Sequence, residues 1–548
     1  MENGKRKTEN EESNFIFRFP FSISRYFPFS VFRFPFFLIL AHLAVTLPLA
    51  YFLNVWMDEA STLYTTQNGF FQTFQNVFAD EKQAPLYFLL LSLWRTLDGS
   101  IFFARLLSII FSCFAVRFFY DLTRGFFGEN QARFVSVLFA LHPFLIWTSL
   151  EIRGYSLVIL LSVLLLKLFD ENFYRTDAQE RNAERETQNA ESAIHRSSFI
   201  LHRSFLFVLV AIVALYTNYY LGFLLAGCFA ALLVSKKFKA ARDYFLQMLI
   251  VLVAILPLLW IIKQQFAANA GGFQPDKSFL EGARLVWNHA LNLAFPTELS
   301  PQSESSIVSV VRIWLARFGI FLMCFLLARR NFRQINKDVL AFGTISAVVV
   351  AFLLGAYFLL GGVYVALRHT AVLLVPLSMF VALLLSAVLP RRSWIFFAVV
   401  FAFLYPYSVY KSYPQAAKRG DWIRVARFIE ANETPNQPII VFQNYDALSL
   451  PFHYRGANRI LPDENFFAWS FEENPSSETA LEKQIEFVIS EIPPEAEEIW
   501  LATEEICQDA KTSIACQPLE NFVQANYTIE KQKDFYLERV RLLRKKPK

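Results

Sequence analysis

Residues 34–60 read FPFFLILAHLAVTLPLAYFLNVWMDEA, and this stretch decides the fold class. Residues 34–53 are uncharged, and about 20 apolar residues are what a helix needs to cross the hydrocarbon core of a bilayer. Asp58 and Glu59 follow closely, next to an interfacial tryptophan, Trp56. Carboxylates at this depth are costly unless they serve a function, so we treat the acidic pair as a candidate site.

The composition of the whole chain is also that of a membrane protein. Of its 548 residues, 55% are hydrophobic, 17% aromatic and only 18% charged, whereas soluble domains carry roughly 25% charged residues. The net charge of +5 is small, and the basic residues cluster between apolar segments, which argues against nucleic-acid binding. We expect no cleavable signal peptide, because the N-terminus is polar and no short apolar core with a cleavage site follows it.

Apolar segments recur along the chain and predict about eleven membrane crossings. They cover residues 34–53, 104–120, 132–150, 155–169, 204–218, 219–234, 244–262, 307–328, 338–360, 370–389 and 394–410. The basic residues lie in alternate loops, so the positive-inside rule places those loops and the N-terminus in the cytoplasm. Residues 54–103, 150–155, 263–306, 361–369 and 411–548 then face outward. Residues 85–97 form an apolar segment too short to cross the membrane. A crossing there would also place every later basic loop outside, so the segment is predicted to be a re-entrant or interfacial helix.

Three parts follow from this pattern. Residues 1–33 form a cytoplasmic or interfacial segment, and an Arg-aromatic-Pro pattern repeats over residues 14–36. Residues 34–410 form the transmembrane domain, and residues 411–548 have the composition of a small outward-facing domain. Within the transmembrane domain, the polar residues 171–203 predict a mobile cytoplasmic loop.

The C-terminal part has the pattern of an α/β domain. An amphipathic helix is predicted over residues 422–429, and strand-like runs occur at residues 438–443 and 498–502. Cys507 and Cys516 lie nine residues apart without a CxxC motif or a nearby histidine, which disfavours zinc. They allow a disulfide if this domain faces an oxidising compartment.

Polar residues of four outward-facing segments converge on one membrane surface. These segments carry Asp58 and Glu59; Asp80, Glu81 and Tyr87, followed by Arg105; Glu151, Arg153 and Tyr155; and Tyr364, Arg368 and His369. A guanidinium can bind two phosphate oxygens at once, and a carboxylate can take a proton from a hydroxyl group. Their convergence on one face makes the set a candidate site.

The order of these motifs resembles the membrane glycosyltransferases of the GT-C fold. The chain has DE after the first crossing, then PLY at 85–87, ARL at 104–106, EIRGYSL at 151–157 and YTNYY at 216–220. It is most similar to the bacterial branch related to protein O-mannosyltransferases, lipid A aminoarabinose transferase and the rhizobial lipopolysaccharide sugar transferases. The resemblance covers residues 34–410 and is densest over residues 54–160.

The resemblance implies transfer of a hexosyl or pentosyl group from a polyprenyl-phosphate donor to a lipid, glycan or protein acceptor. The reaction would occur on the outer face of the bacterial inner membrane, with the C-terminal domain in the periplasm. It implies that Asp58 is the general base and that Glu59 orients the acceptor or the partners of Asp58. The residues implied to bind the donor phosphate are Arg105 and Arg368, and those implied to contact substrate are Asp80, Glu81, Tyr87, Glu151, Arg153, Tyr155 and Tyr219. A single nucleophile opposite the phosphate favours inversion at the anomeric carbon, whereas a retaining route would use a second carboxylate, a role that Asp80 or Glu81 could fill.

The chain departs from the family pattern at two places, and other interpretations stay open. The family often has His-Pro where this chain has Gln83-Ala84, and Tyr where it has His369. Arg105 and Arg368 could instead reach lipid headgroups, Glu151 and Arg153 could form a mutual ion pair that fixes their loop, and Tyr219 could belong to an aromatic belt. Members of the family differ in their need for a divalent metal, so that option stays open, but we assign no metal ligand. A lipid or polysaccharide transporter or flippase is the alternative function, and a membrane scaffold is the third.

Overall fold

The computed structural model describes residues 34–79, 83–175, 190–268, 278–296, 336–361, 365–390, 393–442, 448–462, 478–504 and 516–547, together with Cys507 and a few residues between 314 and 325. This part of the chain forms a helical domain followed by a domain built on a five-stranded sheet.

The helices of the first domain follow one another closely. They are α1 (Phe34–Phe52), α2 (Met57–Thr65), α3 (Phe70–Ala79), α4 (Leu86–Arg95), α5 (Ile101–Phe126), α6 (Glu129–Ala140), α7 (Pro143–Ser149), α8 (Tyr155–Phe169), α9 (Ala190–Thr217), α10 (Leu221–Val234), α11 (Phe238–Ala254), α12 (Leu256–Ala268), α13 (Phe279–Ala294), α14 (Lys337–Leu360), α15 (Ala371–Val388) and α16 (Ser393–Ser412).

Several of these helices have the length and composition to cross a membrane. Among the described residues, five helices pass this test, and seven do so if each of two bent helix pairs counts as one crossing. Predicted crossing 307–328 lies almost wholly outside the described residues, so the number of about eleven stays a prediction. Helix α4 has only ten residues. At about 1.5 Å per residue it is too short to cross, which agrees with its prediction as a re-entrant or interfacial helix.

Two predicted crossings are broken into helix pairs. Residues 132–150 fall into α6 and α7, which meet at 50°, and residues 244–262 fall into α11 and α12, which meet at 59°. Each second helix has a proline in its first turn, Pro143 and Pro257. Proline has no N–H to donate and clashes with the preceding turn, so the helix ends before it and restarts in a new direction.

Predicted loops contain more helix than expected, including α2 and α3 within residues 54–103. Residues 190–203 belong to α9, so the prediction of a mobile loop there was wrong, while residues 176–189 lie outside the described residues. Helix α13 lies within the predicted outer loop 263–306. Ser278 caps α13 by accepting a hydrogen bond from the Glu281 N–H, and Val286 and Leu293 are buried on one face. This helical periodicity within a mostly polar segment is the signal that sequence analysis overlooked.

The C-terminal domain is a mixed sheet with helices on both faces. Its strands are β1 (Ile439–Phe442), β2 (Ile460–Leu461), β3 (Glu498–Glu504), β4 (Tyr527–Asp534) and β5 (Glu538–Lys545), in the order β2-β1-β3-β5-β4. Its helices are α17 (Trp422–Glu430), α18 (Glu478–Ser490) and α19 (Gln517–Asn526). The predicted helix at 422–429 and both predicted strands are confirmed.

Alternation along the strands divides the core of this domain into two layers. Strands β1 and β2, and β1 and β3, pair in parallel, whereas β5 pairs antiparallel with both β3 and β4. Ile439 and Val441 pack with the apolar face of α17, while Ile440 and Phe442 pack with α18 and α19 on the opposite side. Successive strand side chains point to opposite faces, so the hydrophobic run IIVF supplies both layers.

Candidate functional site

The acidic pair lies in the first turn of a short helix. Helix α1 ends at Phe52 and α2 begins at Met57, so Asp58 and Glu59 lie where the helix N–H groups and dipole favour negative charge. Adjacent helical residues point in different directions, about 100° apart. The two carboxylates therefore have different neighbours, although they are consecutive in the chain.

Glu59 is enclosed by cations and has no exposed surface. Arg105 of α5 binds it bidentately, with Nε 3.1 Å from Oε1 and Nη2 2.8 Å from Oε2. The Ile152 N–H donates to Oε1 at 3.1 Å, and the Lys418 Nζ lies 3.0 Å from the same oxygen. Burial acts to raise the pKa of Glu59, but Arg105 and Lys418 outweigh it, and the pKa falls below its ordinary value. Its predicted role, orienting the acceptor or the partners of Asp58, stays a prediction.

Arg105 has no donor left for a ligand. Besides its two bonds to Glu59, its Nη1 donates to the carbonyls of Ala50 (2.9 Å) and Leu53 (2.7 Å), and its Nη2 donates to that of Asn54 (2.7 Å). These bonds use all five N–H groups of the guanidinium, and the side chain is fully buried. The geometry thus differs from the prediction of Arg105 as a phosphate ligand. Arg105 instead joins the C-terminal end of α1 to Glu59.

Glu151 belongs to the same buried cluster. Its Oε2 accepts a hydrogen bond from the Trp56 indole N–H at 2.8 Å, and its Oε1 lies 3.0 Å from the Lys418 Nζ. Burial raises the pKa of this carboxyl, with Lys418 opposing and the charge of Glu59 adding to the shift. Trp56 was expected at the membrane interface. It is buried instead, because its N–H binds Glu151 and its ring packs against Arg419, whose Cζ is 4.0 Å from the ring centre.

Asp58 has a different environment, which is partly open. Its Oδ2 lies 3.3 Å from the Arg368 Nη1, and its Oδ1 lies 3.8 Å from the Arg153 Nη2. The side chains of Asp58 and Arg368 retain 11% and 23% of their exposure. Burial acts to raise the pKa of Asp58, but Arg368, Arg153 and Arg419 outweigh it and hold the pKa below its ordinary value. This carboxylate is ionised at neutral pH and, unlike that of Glu59, keeps a small exposed fraction.

Two of the predicted tyrosines, Tyr87 and Tyr155, pack against residues near the site. Tyr87 is buried, and its hydroxyl hydrogen-bonds with the Ser108 Oγ at 3.2 Å, which in turn donates to the Glu151 carbonyl at 2.7 Å. The ring of Tyr155 stacks on Trp147 with centroids 5.9 Å apart.

Tyr219 is linked through Gln265 to the backbone of Gln83. Its hydroxyl donates to the Gln265 side chain at 3.0 Å, and Gln265 donates to the Gln83 carbonyl at 3.2 Å. His369 stacks on Tyr220, with ring centroids 5.4 Å apart. Asp80, Glu81 and Tyr364 lie outside the described residues.

Lys418 and Arg419 are site residues that the sequence pattern did not single out. Lys418 and Arg419 lie between α16 and α17 and reach the site, and the Val55 N–H donates to the Nε2 of His453 at 2.9 Å. Burial lowers the pKa of His453 to about 4, so its ring is neutral and can accept this bond. A signal was present in the sequence. Two cations follow the last apolar segment closely, on the face that carries the acidic pair.

The described carboxylates do not fit a divalent metal ion. In the part of the chain that the structure describes, no group of three or more His, Cys, Asp or Glu side chains could hold a metal. Asp58, Glu59 and Glu151 each face arginine or lysine. A metal ion beside these cations would be repelled, so we assign no step to one.

Comparisons with known proteins identify the fold. No protein-family model matches the chain, and no curated protein matches it. Among solved structures, it is similar to ArnT from Cupriavidus metallidurans bound to undecaprenyl phosphate, with a TM-score of 0.50 and 12% identity over 92% of this chain and 97% of that chain. It is also similar to the oligosaccharyltransferase of Archaeoglobus fulgidus in complex with zinc and sulfate, with a TM-score of 0.46 and 12% identity over 88% of this chain and 69% of that chain.

The chain therefore has the GT-C fold, as its motifs predicted. The similarity to ArnT, an aminoarabinose transferase, spans nearly the whole of both chains and includes the C-terminal domain. At 12% identity the similarity establishes the fold, and the function has to be argued from the site.

Proposed function

We propose that this protein is an integral-membrane glycosyltransferase that moves a sugar from a polyprenyl-phosphate donor to a hydroxyl acceptor, with Asp58 as the general base. One observation carries this proposal. Asp58 is an ionised, partly exposed carboxylate with two guanidiniums beside it, those of Arg368 and Arg153. A base and cations for a leaving phosphate are the groups that this reaction needs. The undecaprenyl phosphate bound to ArnT is a ligand of the same chemical class.

The reaction assigns a step to each group. The acceptor hydroxyl oxygen forms a bond to the anomeric carbon as Asp58 takes the hydroxyl proton. The bond between that carbon and the phosphate oxygen breaks, and its electron pair leaves with the phosphate. Arg368 stabilises the growing negative charge, and Arg153 supports it from the other side of Asp58. Arginine suits this role because its planar fork can bind two phosphate oxygens.

We propose inversion at the anomeric carbon. A retaining reaction needs a second carboxylate as a covalent nucleophile within about 5 Å of the first. Glu59 is unsuited, because its two oxygens are held by Arg105, Lys418 and the Ile152 N–H. Glu151 is held by Trp56 and Lys418. Asp58 is then the single reactive carboxylate among these three.

We propose that the site and the C-terminal domain face the periplasm of a bacterial inner membrane. Two observations support this orientation. The basic loops predict the opposite face as cytoplasmic. The C-terminal domain contains a disulfide between Cys507 and Cys516, with Cα atoms 5.4 Å apart, and disulfides persist in oxidising compartments. Nucleotide sugars are absent there, so a lipid-linked donor is required. The acceptor in this proposal is a lipid, a glycan or a protein.

The test is sugar transfer in reconstituted membranes from a panel of polyprenyl-phosphate sugars, comparing wild type, Asp58→Asn and the control Asp243→Asn. Asparagine keeps the size of aspartate but cannot take the proton. We expect transfer by wild type and by the control, whose carboxylate is exposed and pairs with Arg242, and a loss of about 10²-fold or more in Asp58→Asn. Full activity in a folded Asp58→Asn variant would remove Asp58 as the base. Absence of transfer by wild type from every donor would refute the proposed function and favour a lipid transporter.

A further inference from the structure

Lys418 is the most deeply buried cation that the C-terminal segment contributes to the site. Its side chain retains 2% of its exposure. Its Nζ lies 3.0 Å from Glu59 Oε1, 3.0 Å from Glu151 Oε1 and 2.9 Å from the Leu150 carbonyl. Three oxygens are the full complement that an ammonium group can bind.

The backbone of Lys418 is fixed as firmly as its side chain. The Asn54 side chain accepts from the Lys418 N–H at 2.7 Å and donates to the Lys418 carbonyl at 2.9 Å. The next two residues have left-handed backbone, with φ of 48° at Arg419 and 105° at Gly420. A side chain at Gly420 would have its Cβ 2.4 Å from the Glu538 Oε1. This turn connects α16 to α17 of the C-terminal domain, while the Lys418 side chain reaches Glu59 and Glu151.

Four buried charges balance in this cluster. With both carboxyls ionised, Glu59 and Glu151 carry the negative charges, and Arg105 and Lys418 carry the positive ones, with every side chain at most 2% exposed. Removal of Lys418 leaves one excess negative charge without solvent, which is far costlier than loss of an exposed ion pair. The cluster then has to take up a proton or change its geometry.

The two carboxylates that Lys418 joins belong to the segments that carry the reactive groups. Glu59 lies in the first turn of α2 and follows Asp58 directly, and Glu151 is two residues from Arg153. The distance between Asp58 and Arg153 therefore depends on how these segments are held together. We propose that Lys418 is a positioning residue for the transfer reaction, and that the C-terminal domain completes the site by supplying it. This inference rests on the proposed function.

The experiment is a double-mutant cycle in the full-length protein, with Lys418→Met, Glu151→Gln and the double variant. Lys418→Met leaves Glu151 and Glu59 with a single cation, whereas the double variant restores neutrality. Per folded protein, we expect Lys418→Met to lower kcat at least about tenfold while donor KM changes less than about threefold, because Arg368 is intact. The double variant should regain most of this kcat and of the thermal stability. Arg427→Met, an exposed arginine of α17, is the control and should match wild type.

The outcomes separate this inference from the proposed function. If wild type transfers sugar but Lys418→Met keeps full kcat, or the double variant recovers neither kcat nor stability, the inference is wrong and the proposed function stands. If wild type transfers no sugar, the proposed function fails, and the claim of positioning for transfer fails with it. The midpoint of thermal unfolding then still reports whether the charges are coupled. If Lys418→Met does not fold, a folded and active double variant supports the inference, and an unfolded one overturns it.

Discussion

The two arginines that sequence analysis paired as phosphate ligands should respond oppositely to substitution. Arg105 is fully buried and donates five hydrogen bonds, two to Glu59 and three to backbone carbonyls at the end of α1. Removal of one partner from a buried ion pair costs about 3–5 kcal/mol. Glu59 would keep its bonds to Lys418 and the Ile152 N–H. We therefore expect Arg105→Met to lower the free energy of unfolding by an amount near the lower end of that range, about 3 kcal/mol.

Arg368 should show the reverse pattern. Its side chain is partly exposed and makes one ion pair with Asp58 at 3.3 Å, and a pair of this kind contributes about 1 kcal/mol or less to stability. A hydrogen bond to a charged group contributes about 1.5–3 kcal/mol. If Arg368 binds the donor phosphate, Arg368→Met should raise donor KM by roughly 10- to 150-fold, at about 1.4 kcal/mol per factor of ten.

Both quantities can be measured on the same preparations. Denaturant unfolding in detergent gives the stability, and transfer at varied donor concentration in proteoliposomes gives KM and kcat. Arg242→Met, which removes an exposed arginine paired with Asp243, is the control for loss of a positive charge. A stable Arg105→Met variant with greatly raised donor KM would refute our reasoning and restore Arg105 as a phosphate ligand. An Arg368→Met variant with unchanged donor KM would remove Arg368 from the phosphate site.

Three further predictions follow from particular residues. The guanidiniums outweigh burial and lower the pKa of Asp58, so the stability that its charge contributes is fully present above the ordinary pKa of about 3.9 and is lost only as pH falls through the lower folded pKa. The acid limb of kcat/KM should therefore lie below about pH 3.9 and move to higher pH in Arg368→Met. Gly420→Ala should lower the free energy of unfolding by about 2 kcal/mol, because φ is 105° and the new Cβ would meet Glu538. Gly99→Ala, which has open space around it, should leave the free energy of unfolding unchanged. The disulfide links cysteines only nine residues apart, so Cys516→Ser should lower the free energy of unfolding by about 2–3 kcal/mol. A reductant should destabilise wild type but not the variant.

The sequence was sufficient for the features that depend on local pattern. Long apolar segments predicted α1, α5 and α14, and alternating or amphipathic runs predicted β1, β3 and α17. The order of motifs predicted the fold, and these motifs lie near the ends of helices along the first domain. The breaks after α6 and α11 were accessible in principle, since Pro143 and Pro257 interrupt apolar segments that hydropathy alone joins.

The sequence was insufficient for features that depend on partners distant in the chain. Lys418 contacts Glu151 across 267 positions and Glu59 across a greater distance, and no periodicity encodes such pairs. Sequence reasoning proposed Arg105 as a phosphate ligand, whereas the structure shows its five donors bonded within the protein. Residue type and position could not reveal that the carbonyls of Ala50, Leu53 and Asn54 would occupy its remaining donors.

In the proposed site, the contrast between Asp58 and Glu59 gives two consecutive acids different roles. A general base has to be ionised and also within reach of a substrate proton, and these demands conflict because cations that keep a carboxylate ionised tend to bury it. The structure divides the demands between neighbours. Glu59 is sealed by Arg105 and Lys418 and fixes the first turn of α2, while Asp58 keeps 11% of its exposure beside Arg368. Combining Asp58→Glu with Glu59→Asp would preserve charge and composition. The shorter aspartate side chain at position 59 could not reach both Arg105 and Lys418, however. We therefore expect the buried ion pairs of Glu59 to be lost before the contacts at position 58.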